Sequence, residues 1–228
     1  MRTIAVIGLG GFGSSVAREL TEKGVQVLAI DRDRAQVDAI KDSVTHAAAL
    51  NSTDEEALRA VDIQSVDVAV VCIGKDIEAN LLTTILLKKM GVHRIWTRAL
   101  SPLQQEILKM LEVDNIINLE KEMGSIVATS LASTNITRHI PLAKGHSIVE
   151  VQVPAEFVGK TLRALDPRNK FNINIVAVKK MVPGINDQGE RITEESIEDV
   201  PKPDDILEET DRLLIVGSDK NVEKFANR

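Results

Sequence analysis

The chain has 228 residues, a length that predicts one large domain or two small ones. A net charge of −6 and an aromatic content of 2% argue against a basic surface for duplex DNA and against aromatic platforms for single-stranded nucleic acid. The single cysteine, Cys72, excludes a disulfide framework and a four-thiolate zinc site, and is typical of the reducing cytoplasm. Because no apolar run reaches the roughly 18 residues that span a bilayer, we expect any action at a membrane to depend on a partner.

The first 130 or so residues alternate between short β-rich runs and segments with helical periodicity. The predicted strands are 3–8, 25–31, 45–50, 66–73, 93–97 and 115–119, most of them apolar on both faces. The predicted helices are 12–23, 34–42, 54–60, 77–90 and 101–112, the third with Thr53 and Glu56 as a capping box. This alternation predicts an α/β domain with a doubly wound, Rossmann-like parallel sheet over residues 1–134.

The pattern changes after Thr134. The polar stretch 133–138 leads to Pro141 and Gly145 and predicts a linker or domain edge. Residues 135–228 are then predicted as this linker and a second, smaller α+β domain, small enough for burial against another copy to help its stability. Its predicted strands are 147–153, 173–179 and 212–216, its helices 160–165 and 221–227, and its hairpin-like loop 183–189.

Residues 8–13 read Gly-Leu-Gly-Gly-Phe-Gly, a G-x-G-x-x-G motif between a predicted strand and a predicted helix. Followed by a strand that ends in Asp31, this motif is the fingerprint of dinucleotide-type binding. Gly8 permits the tight turn, Gly10 lets the backbone approach a phosphate, and Gly13 lets the helix pack on the sheet. The helix N-terminus offers free N–H groups and the positive end of its dipole to the phosphates. The alternative interpretation is a glycine-rich turn without a ligand.

Three further segments extend this predicted site. Asp31 would accept hydrogen bonds from ribose hydroxyls and disfavours NADP, although the neighbouring Arg32 could serve a 2′-phosphate. Residues 51–53 could border an adenine edge, and Ile73 with Gly74 could let a flat base lie close; a capped helix start and an ordinary turn explain these two segments equally well. The predicted cofactor-binding residues are Gly8, Leu9, Gly10, Gly11, Phe12, Gly13, Asp31, Arg32, Asn51, Ser52, Thr53, Ile73, Gly74 and Arg98.

No catalytic constellation accompanies this site. The four histidines lack metal-ligand spacing, and Cys72, inside an apolar run, is interpreted as a core residue rather than a nucleophile. An oxidoreductase needs a proton donor or acceptor beside the nicotinamide and a substrate pocket, and the second domain offers no candidate. We therefore expect a nucleotide-binding protein that is not an enzyme, and keep an NAD-dependent oxidoreductase as the alternative.

A transcription regulator is a third class of function that uses such a domain. It would require a basic recognition helix. The pairs Lys88-Lys89 and Lys179-Lys180 are too isolated to form one, so we expect no nucleic acid partner.

Several further segments occur in an order and spacing typical of one family. They are 5–13, 29–31, 51–53, 82–88, 96–99 and 118–124 in the first domain, and 147–151, 203–205 and 211–217 in the second. With these segments, nearly the whole chain resembles the KtrA/TrkA family of regulatory subunits of bacterial potassium uptake systems, and most of all its KtrA members. In that family an RCK (KTN) nucleotide-binding domain is followed by a smaller RCK C-terminal domain.

The resemblance implies an adenine nucleotide sensor. ATP, ADP or NAD(H) would occupy the glycine-rich crevice, and dimers would assemble into a ring, commonly an octamer. This homo-oligomer would dock on the cytoplasmic face of a membrane potassium translocator of the KtrB/TrkH type and change ion flux. The resemblance also assigns Arg98 to the phosphates, Glu120 to a divalent cation (Mg²⁺ or Ca²⁺), and the region of Arg168 and Ile175 to cyclic di-AMP.

Two positions depart from the family pattern. Gly11 stands where relatives often carry an arginine that holds the terminal phosphate, so discrimination between ATP and ADP has to differ or come from elsewhere. Leu119 replaces the proline before the glutamate, which affects the loop at the cation site. By charge alone, Glu120 is equally well interpreted as a carboxylate at a helix N-terminus, and Arg98 as part of a surface ion pair.

Overall fold

The computed structural model describes residues 2–132, 135–143, 145–185 and 190–228. The chain divides into two compact units, Met1–Lys121 and Glu122–Arg228. The division falls inside a helix, Leu119–Ala132. The boundary after residue 134 stays a prediction, because residues 133 and 134 lie outside the described ranges.

The first unit is built on a six-stranded parallel sheet. Its strands are β1 (Thr3–Ile7), β2 (Gln26–Asp31), β3 (His46–Ala49), β4 (Val68–Val71), β5 (Ile95–Arg98) and β6 (Asn115–Ile117). They lie in the order β3-β2-β1-β4-β5-β6, and every neighbouring pair is parallel. The predicted doubly wound sheet is confirmed, and its strand order reverses between β1 and β4, where ligands bind in this architecture.

Helices cover both faces of this sheet. They are α1 (Gly11–Glu22), α2 (Arg34–Asp38), α3 (Glu55–Ala60), α4 (Ile77–Lys89) and α5 (Pro102–Met110), with 3-10 turns at Lys41–Ser43 and Ile63–Ser65. The strand residues alternate between two buried clusters: Ala5 and Ile7 face one, and Ile4 and Val6 face the other. Burial on both faces explains why these strands are continuously apolar in the sequence.

Side chains cap four of these helices. Asp33, Asp54, Asp76 and Ser101 accept hydrogen bonds from first-turn N–H groups of α2, α3, α4 and α5. The predicted capping box of Thr53 and Glu56 is wrong. Asp54 is the N-cap and accepts from the N–H groups of Glu56 and Ala57, because α3 begins one residue later than a Thr53 cap requires.

The second unit contains a five-stranded antiparallel sheet and short helices, which confirms the predicted α+β domain. The helix α6 (Leu119–Ala132), to which the sequence patterns assigned no element, leads into it. The strands are β7 (Ile136–Ala143), β8 (His146–Gln152), β9 (Ile173–Ile185), β10 (Arg191–Glu198) and β11 (Arg212–Ser218), in the order β10-β9-β11-β8-β7. The helices are α7 (Leu162–Leu165), α8 (Pro167–Phe171) and α9 (Asp219–Ala226), with a 3-10 turn at Ala155–Phe157.

Two local predictions for this unit are wrong. The stretch predicted as a linker runs into β7, which pairs with β8. Pro183 and Gly184, predicted as a turn, lie inside β9 opposite Thr193 and Ile192 of β10. At both places the chain pairs with the next strand along the sequence, and this hairpin pairing outweighs local turn propensity. Residues 186–189 of the predicted loop lie outside the described ranges.

The core of the second unit uses most of the chain's few aromatic side chains. Phe157, Phe171 and Phe225 lie with ring centroids 5.3–5.7 Å apart. Aromatic pairs at such distances add to the apolar area that they bury. Within the described ranges, no helix combines the length and the apolar character needed to cross a membrane.

A buried carboxylate links three strands of the second sheet. Glu150 of β8, with a side chain 5% exposed, lies 3.0 Å from Nζ of Lys179 in β9 and 3.2 Å from Nη1 of Arg212 in β11. Burial alone would raise the pKa of Glu150, but the hydrogen bonds from Lys179 and Arg212 lower this pKa overall. Glu150 is therefore ionised in the neutral pH range, with both carboxylate oxygens paired.

We expect Glu150→Gln to lower the free energy of unfolding of the second unit by about 1–3 kcal/mol near neutral pH, because Lys179 and Arg212 lose a charged partner. Since the folded-state pKa of Glu150 is lowered, its contribution is complete above the ordinary carboxyl pKa of about 4.3 and is lost as the pH falls through the folded value. Urea denaturation across this pH range should therefore show the two proteins converging in acid.

Glu195→Gln is the matched control. Glu195 lies 3.3 Å from the same lysine but is 51% exposed, so its removal should have a smaller effect on stability. A Glu150→Gln effect that is equal to the control, or independent of pH, would contradict the expectation.

Candidate functional site

A cleft of about 510 Å³ opens at the carboxyl ends of the parallel strands, where the strand order reverses. Most of the predicted site residues lie on its walls: Gly8, Gly10, Gly11, Phe12, Asp31, Arg32, Asn51, Ser52, Ile73, Gly74 and Arg98. The sequence patterns did not find seven other wall residues: Ile7, Asp33, Gln36, Cys72, Lys75, Asp76 and Ala79. Of the predicted residues, Leu9, Gly13, Thr53 and Glu120 are not part of the wall.

The glycine-rich turn brings α1 into close contact with the sheet. Gly8 has a φ of +96°, and a Cβ there would lie 2.8 Å from the backbone nitrogen of Ile73. A Cβ at Gly13 would lie 1.9 Å from the carbonyl oxygen of Gly8. Gly13 therefore shapes the turn from behind the cleft, while the fully buried Leu9 packs into the core.

The N-terminus of α1 faces the cleft without a side-chain cap. Gly10 is its N-cap residue, and the first turn contains no acidic side chain. A Cβ at Gly10 or Gly11 would meet nothing within 4 Å, so both residues border open space. The free N–H groups of a helix N-terminus with this much space in front of them fit an anion such as a phosphate.

Asp31 ties the end of β2 to the glycine-rich turn. Its Oδ2 accepts a hydrogen bond from the N–H of Leu9 at 2.6 Å, and its Oδ1 accepts one from the N–H of Asp33 at 2.8 Å. Each carboxylate oxygen can accept a second hydrogen bond, so Asp31 keeps acceptor capacity toward the cleft. The motif indicated the ligand-facing role, but not this structural one.

Arg98 forms another part of the cleft wall, with its guanidinium against Gly74. Its guanidinium carbon is 5.9 Å from the centre of the Phe12 ring, and its Nη2 donates to a carboxylate oxygen of Glu120. The Arg98 side chain is 15% exposed, and its Nε is buried without a hydrogen-bond partner among the described residues. As part of the cleft wall, this guanidinium fits an anionic ligand.

Glu120 lies in the first turn of α6 and forms an ion pair with Arg98. The hydrogen bond from Arg98 holds the pKa of Glu120 below its ordinary value. Glu120 is therefore a carboxylate at a helix N-terminus, and Arg98 is its partner in an ion pair, as the two interpretations from charge alone describe. Within the described ranges, no three His, Cys, Asp or Glu side chains could converge on a metal ion, so a cation at Glu120 needs oxygen ligands from elsewhere.

The segment 51–53 serves the structure more than the cleft. Thr53 donates from both its N–H and its hydroxyl to Oδ1 of Asn51, at 3.1 and 2.9 Å. The Ser52 hydroxyl is 2.8 Å from that of Thr83 in the interior. Asn51 and Ser52 reach the wall, but Thr53 stabilises the turn before α3.

A buried amide pair supports the cleft from below. Asn80 of α4 is fully buried, and its Nδ2 donates to the carbonyl oxygens of Ile73 at 3.0 Å and Arg98 at 3.1 Å. Its Oδ1 accepts from Nε2 of Gln104 at 2.8 Å. These bonds hold the ends of β4 and β5 in register. In the sequence, Asn80 and Gln104 are polar residues on the apolar faces of two predicted helices. This was the signal that could have identified the pair.

Cys72 follows β4 and touches the cleft with 4% of its surface exposed. Burial raises the pKa of its thiol to about 12, although the nearby Arg98 acts in the opposite direction. The thiol is therefore protonated under physiological conditions, in agreement with the expected core role.

Two family models match the chain, the TrkA-N domain over residues 4–119 and the TrkA-C domain over residues 146–228. The Ktr system potassium uptake proteins C and A of Bacillus subtilis (strain 168) are 33% and 34% identical to it, over 100% and 99% of this chain and 97% and 96% of theirs. Among solved structures, the GsuK RCK domain is similar in fold, with a TM-score of 0.65 and 16% identity. That alignment covers all of this chain and 48% of the other.

We expect Cys72 to react slowly with thiol reagents while the protein is folded. A pKa raised from about 9 to about 12 reduces the thiolate fraction by about 10³ at mildly alkaline pH. Because the chain has one cysteine, maleimide labelling followed by mass spectrometry reports on Cys72 alone. The same chain in urea is the control and should label rapidly, whereas equal rates in both states would show that the thiol is accessible.

Proposed function

The chain belongs to the KtrA/TrkA family of non-enzymatic regulatory proteins of potassium uptake, and from this premise we propose that its cleft binds an adenine nucleotide that controls potassium flux. The observation that carries the proposal is that one cleft is bordered by both an uncapped helix N-terminus and a guanidinium. These are the N-terminus of α1 and the side chain of Arg98. The oxidoreductase alternative is set aside, because the relatives are potassium uptake proteins.

The residues of the cleft suggest an orientation for the nucleotide. The phosphates would lie at Gly10, Gly11 and the start of α1, with Arg98 beside them. Asp31 would accept from the ribose, and the base would lie against Ile73 and Gly74. Phe12 is the single aromatic side chain among the described residues of the wall, with its ring centre 5.9 Å from the guanidinium carbon of Arg98. At Ile73 and Gly74 the base would meet aliphatic and backbone surface.

Arg98 is the residue that would respond to the number of phosphate groups on the bound nucleotide. Gly11 provides no side chain for a terminal phosphate, so ATP, ADP and NAD(H) would differ in how far they draw Arg98 from Glu120. Glu120 would then be free to supply one carboxylate oxygen to Mg²⁺ or Ca²⁺, with phosphate and water oxygens completing the set. Cation binding would thus follow nucleotide binding.

The exposed face of α6 supports assembly into a homo-oligomer. Met123, Val127 and Leu131 are spaced by four residues and are 48%, 50% and 82% exposed. Residues at this spacing lie on one face of a helix. An apolar stripe of this kind fits burial against a second copy, and we propose that such dimers build the octameric ring that resemblance to the family implies.

The ring would bind the cytoplasmic face of a membrane potassium translocator of the KtrB/TrkH type. A nucleotide shifts such a ring only by its differential affinity for two ring states, typically about 1–3 kcal/mol per coupled site. Cyclic di-AMP is a further proposed ligand, for paired second units. Arg168 lies in α8 and Ile175 in β9, where Ile175 packs against the core.

We expect Gly10→Val to weaken nucleotide binding at least about tenfold without unfolding the domain. The new side chain meets no protein atom near its Cβ and instead occupies the space in front of α1. Calorimetric titration with ATP, ADP and NAD measures the affinity, and thermal denaturation checks the fold. Asp31→Ala should also weaken binding, but it is less diagnostic because it releases the Leu9 N–H as well. Wild-type affinity in Gly10→Val would exclude this site.

We expect Val127→Asp to dissociate the assembly, because a charge on the apolar stripe of α6 is unfavourable to bury. Native mass spectrometry reports both the subunit count and any bound nucleotide. Val127→Ala, which removes apolar area without adding charge, is the control and should reduce assembly much less. A wild-type chain that is monomeric at all concentrations would contradict the ring.

A further inference from the structure

An ion pair crosses the cleft between the loops that follow β2 and β4. Nη1 of Arg32 lies 3.5 Å from Oδ2 of Asp76, and both residues are part of the cleft wall. Since β2 and β4 flank β1, their ends are two strand spacings apart, or about 10 Å. The pair therefore spans the end of β1, with side chains 70% and 38% exposed.

The two partners of this pair are held to different degrees. Asp76 is the N-cap of α4, and its Oδ1 accepts from the N–H of Ala79 at 2.9 Å. Its other oxygen, Oδ2, is thereby positioned toward Arg32. The Arg32 side chain is long and solvent-exposed, so Asp76 is the fixed partner and Arg32 the movable one.

The position of Arg32 means that this ion pair can affect whether the cleft binds a nucleotide with a 2′-phosphate. Arg32 directly follows Asp31, and an arginine in this neighbourhood is the group that accommodates a 2′-phosphate in Rossmann-like clefts. Asp31 already places negative charge at this end of the cleft, and so does Asp33, which caps α2. Asp76 adds a third carboxylate and draws the arginine toward the segment between β4 and α4.

We propose that Asp76 is a specificity-determining residue: by holding Arg32 across the end of β1, it denies a ribose 2′-phosphate its cation. The cleft then selects adenine nucleotides with a free 2′-hydroxyl. This inference rests on the proposed nucleotide binding. Lys75, exposed on the same wall and without an ion pair among the described residues, is the competing source of positive charge, so the experiment has to separate it from Arg32.

Asp76→Asn tests the proposal with little structural change. Asparagine is as good an N-cap as aspartate, so the helix cap at Ala79 is kept while the charge that holds Arg32 is removed. The probes are adenosine 5′-monophosphate and adenosine 2′,5′-bisphosphate, which differ by the 2′-phosphate alone. Their dissociation constants are measured at low ionic strength, by displacement of a bound fluorescent nucleotide.

The measured quantity is the dissociation constant of the bisphosphate divided by that of the monophosphate. We expect this ratio to exceed one in the wild type and to fall about fivefold in Asp76→Asn, the size that an exposed ion pair allows. The ratio should return to the wild-type value in Asp76→Asn/Arg32→Ala. It should stay low in Asp76→Asn/Lys75→Gln.

Glu78→Gln is the matched control. It removes the same charge from the first turn of α4, at a residue outside the cleft wall, and should leave the ratio unchanged. An unchanged ratio in Asp76→Asn, or a reduced ratio that survives Arg32→Ala, would overturn this inference and leave the proposed function intact. If the wild type binds no adenine nucleotide, the proposed function fails, and this inference fails with it.

Discussion

The close approach of α1 to the end of β1 is the constraint on which the rest of the first unit depends. A Cβ at Gly13 would overlap the carbonyl oxygen of Gly8, so the helix can begin this near the sheet because neither position carries a side chain. Asp31 then reaches the N–H of Leu9 and fixes the turn to β2. The uncapped first turn of α1 is thereby held open toward the cleft, and the charged residues are arranged around it.

Both arginines of the cleft wall form ion pairs. Arg98 with Glu120 lies near the start of α1, and Arg32 with Asp76 lies near Asp31. In the function that we propose, Arg98 lies beside the phosphates, whereas Asp76 keeps Arg32 from a ribose 2′-phosphate. The buried amides of Asn80 and Gln104 keep the strand ends in place below them. A ligand would therefore change how charges are paired more than where the backbone lies.

The second unit is stabilised by an aromatic core and a buried ion-pair cluster. Its core contains three of the four phenylalanines, and a buried carboxylate, Glu150, joins three strands. Of the other two aromatic residues, Phe12 lies on the cleft wall, and Trp96 lies in β5 outside the wall. Most of the few aromatic side chains therefore pack the core of the second unit.

Much of the first unit could be predicted from the sequence, because a buried parallel strand and the helix after it have strong local patterns. The glycine-rich turn and Asp31 were visible for the same reason, since their roles follow from neighbours within one strand–helix–strand segment. The pairings Arg98–Glu120, Arg32–Asp76 and Asn80–Gln104 could not be predicted. The same holds for β7 and β10. The strands β7 and β10 pair with their sequence neighbours β8 and β9, but their polar and turn-forming residues give no clear strand pattern, so only pairing in the sheet shows them as strands. The side-chain pairings join residues that are distant in sequence, so they depend on how the chain closes in three dimensions rather than on local propensity.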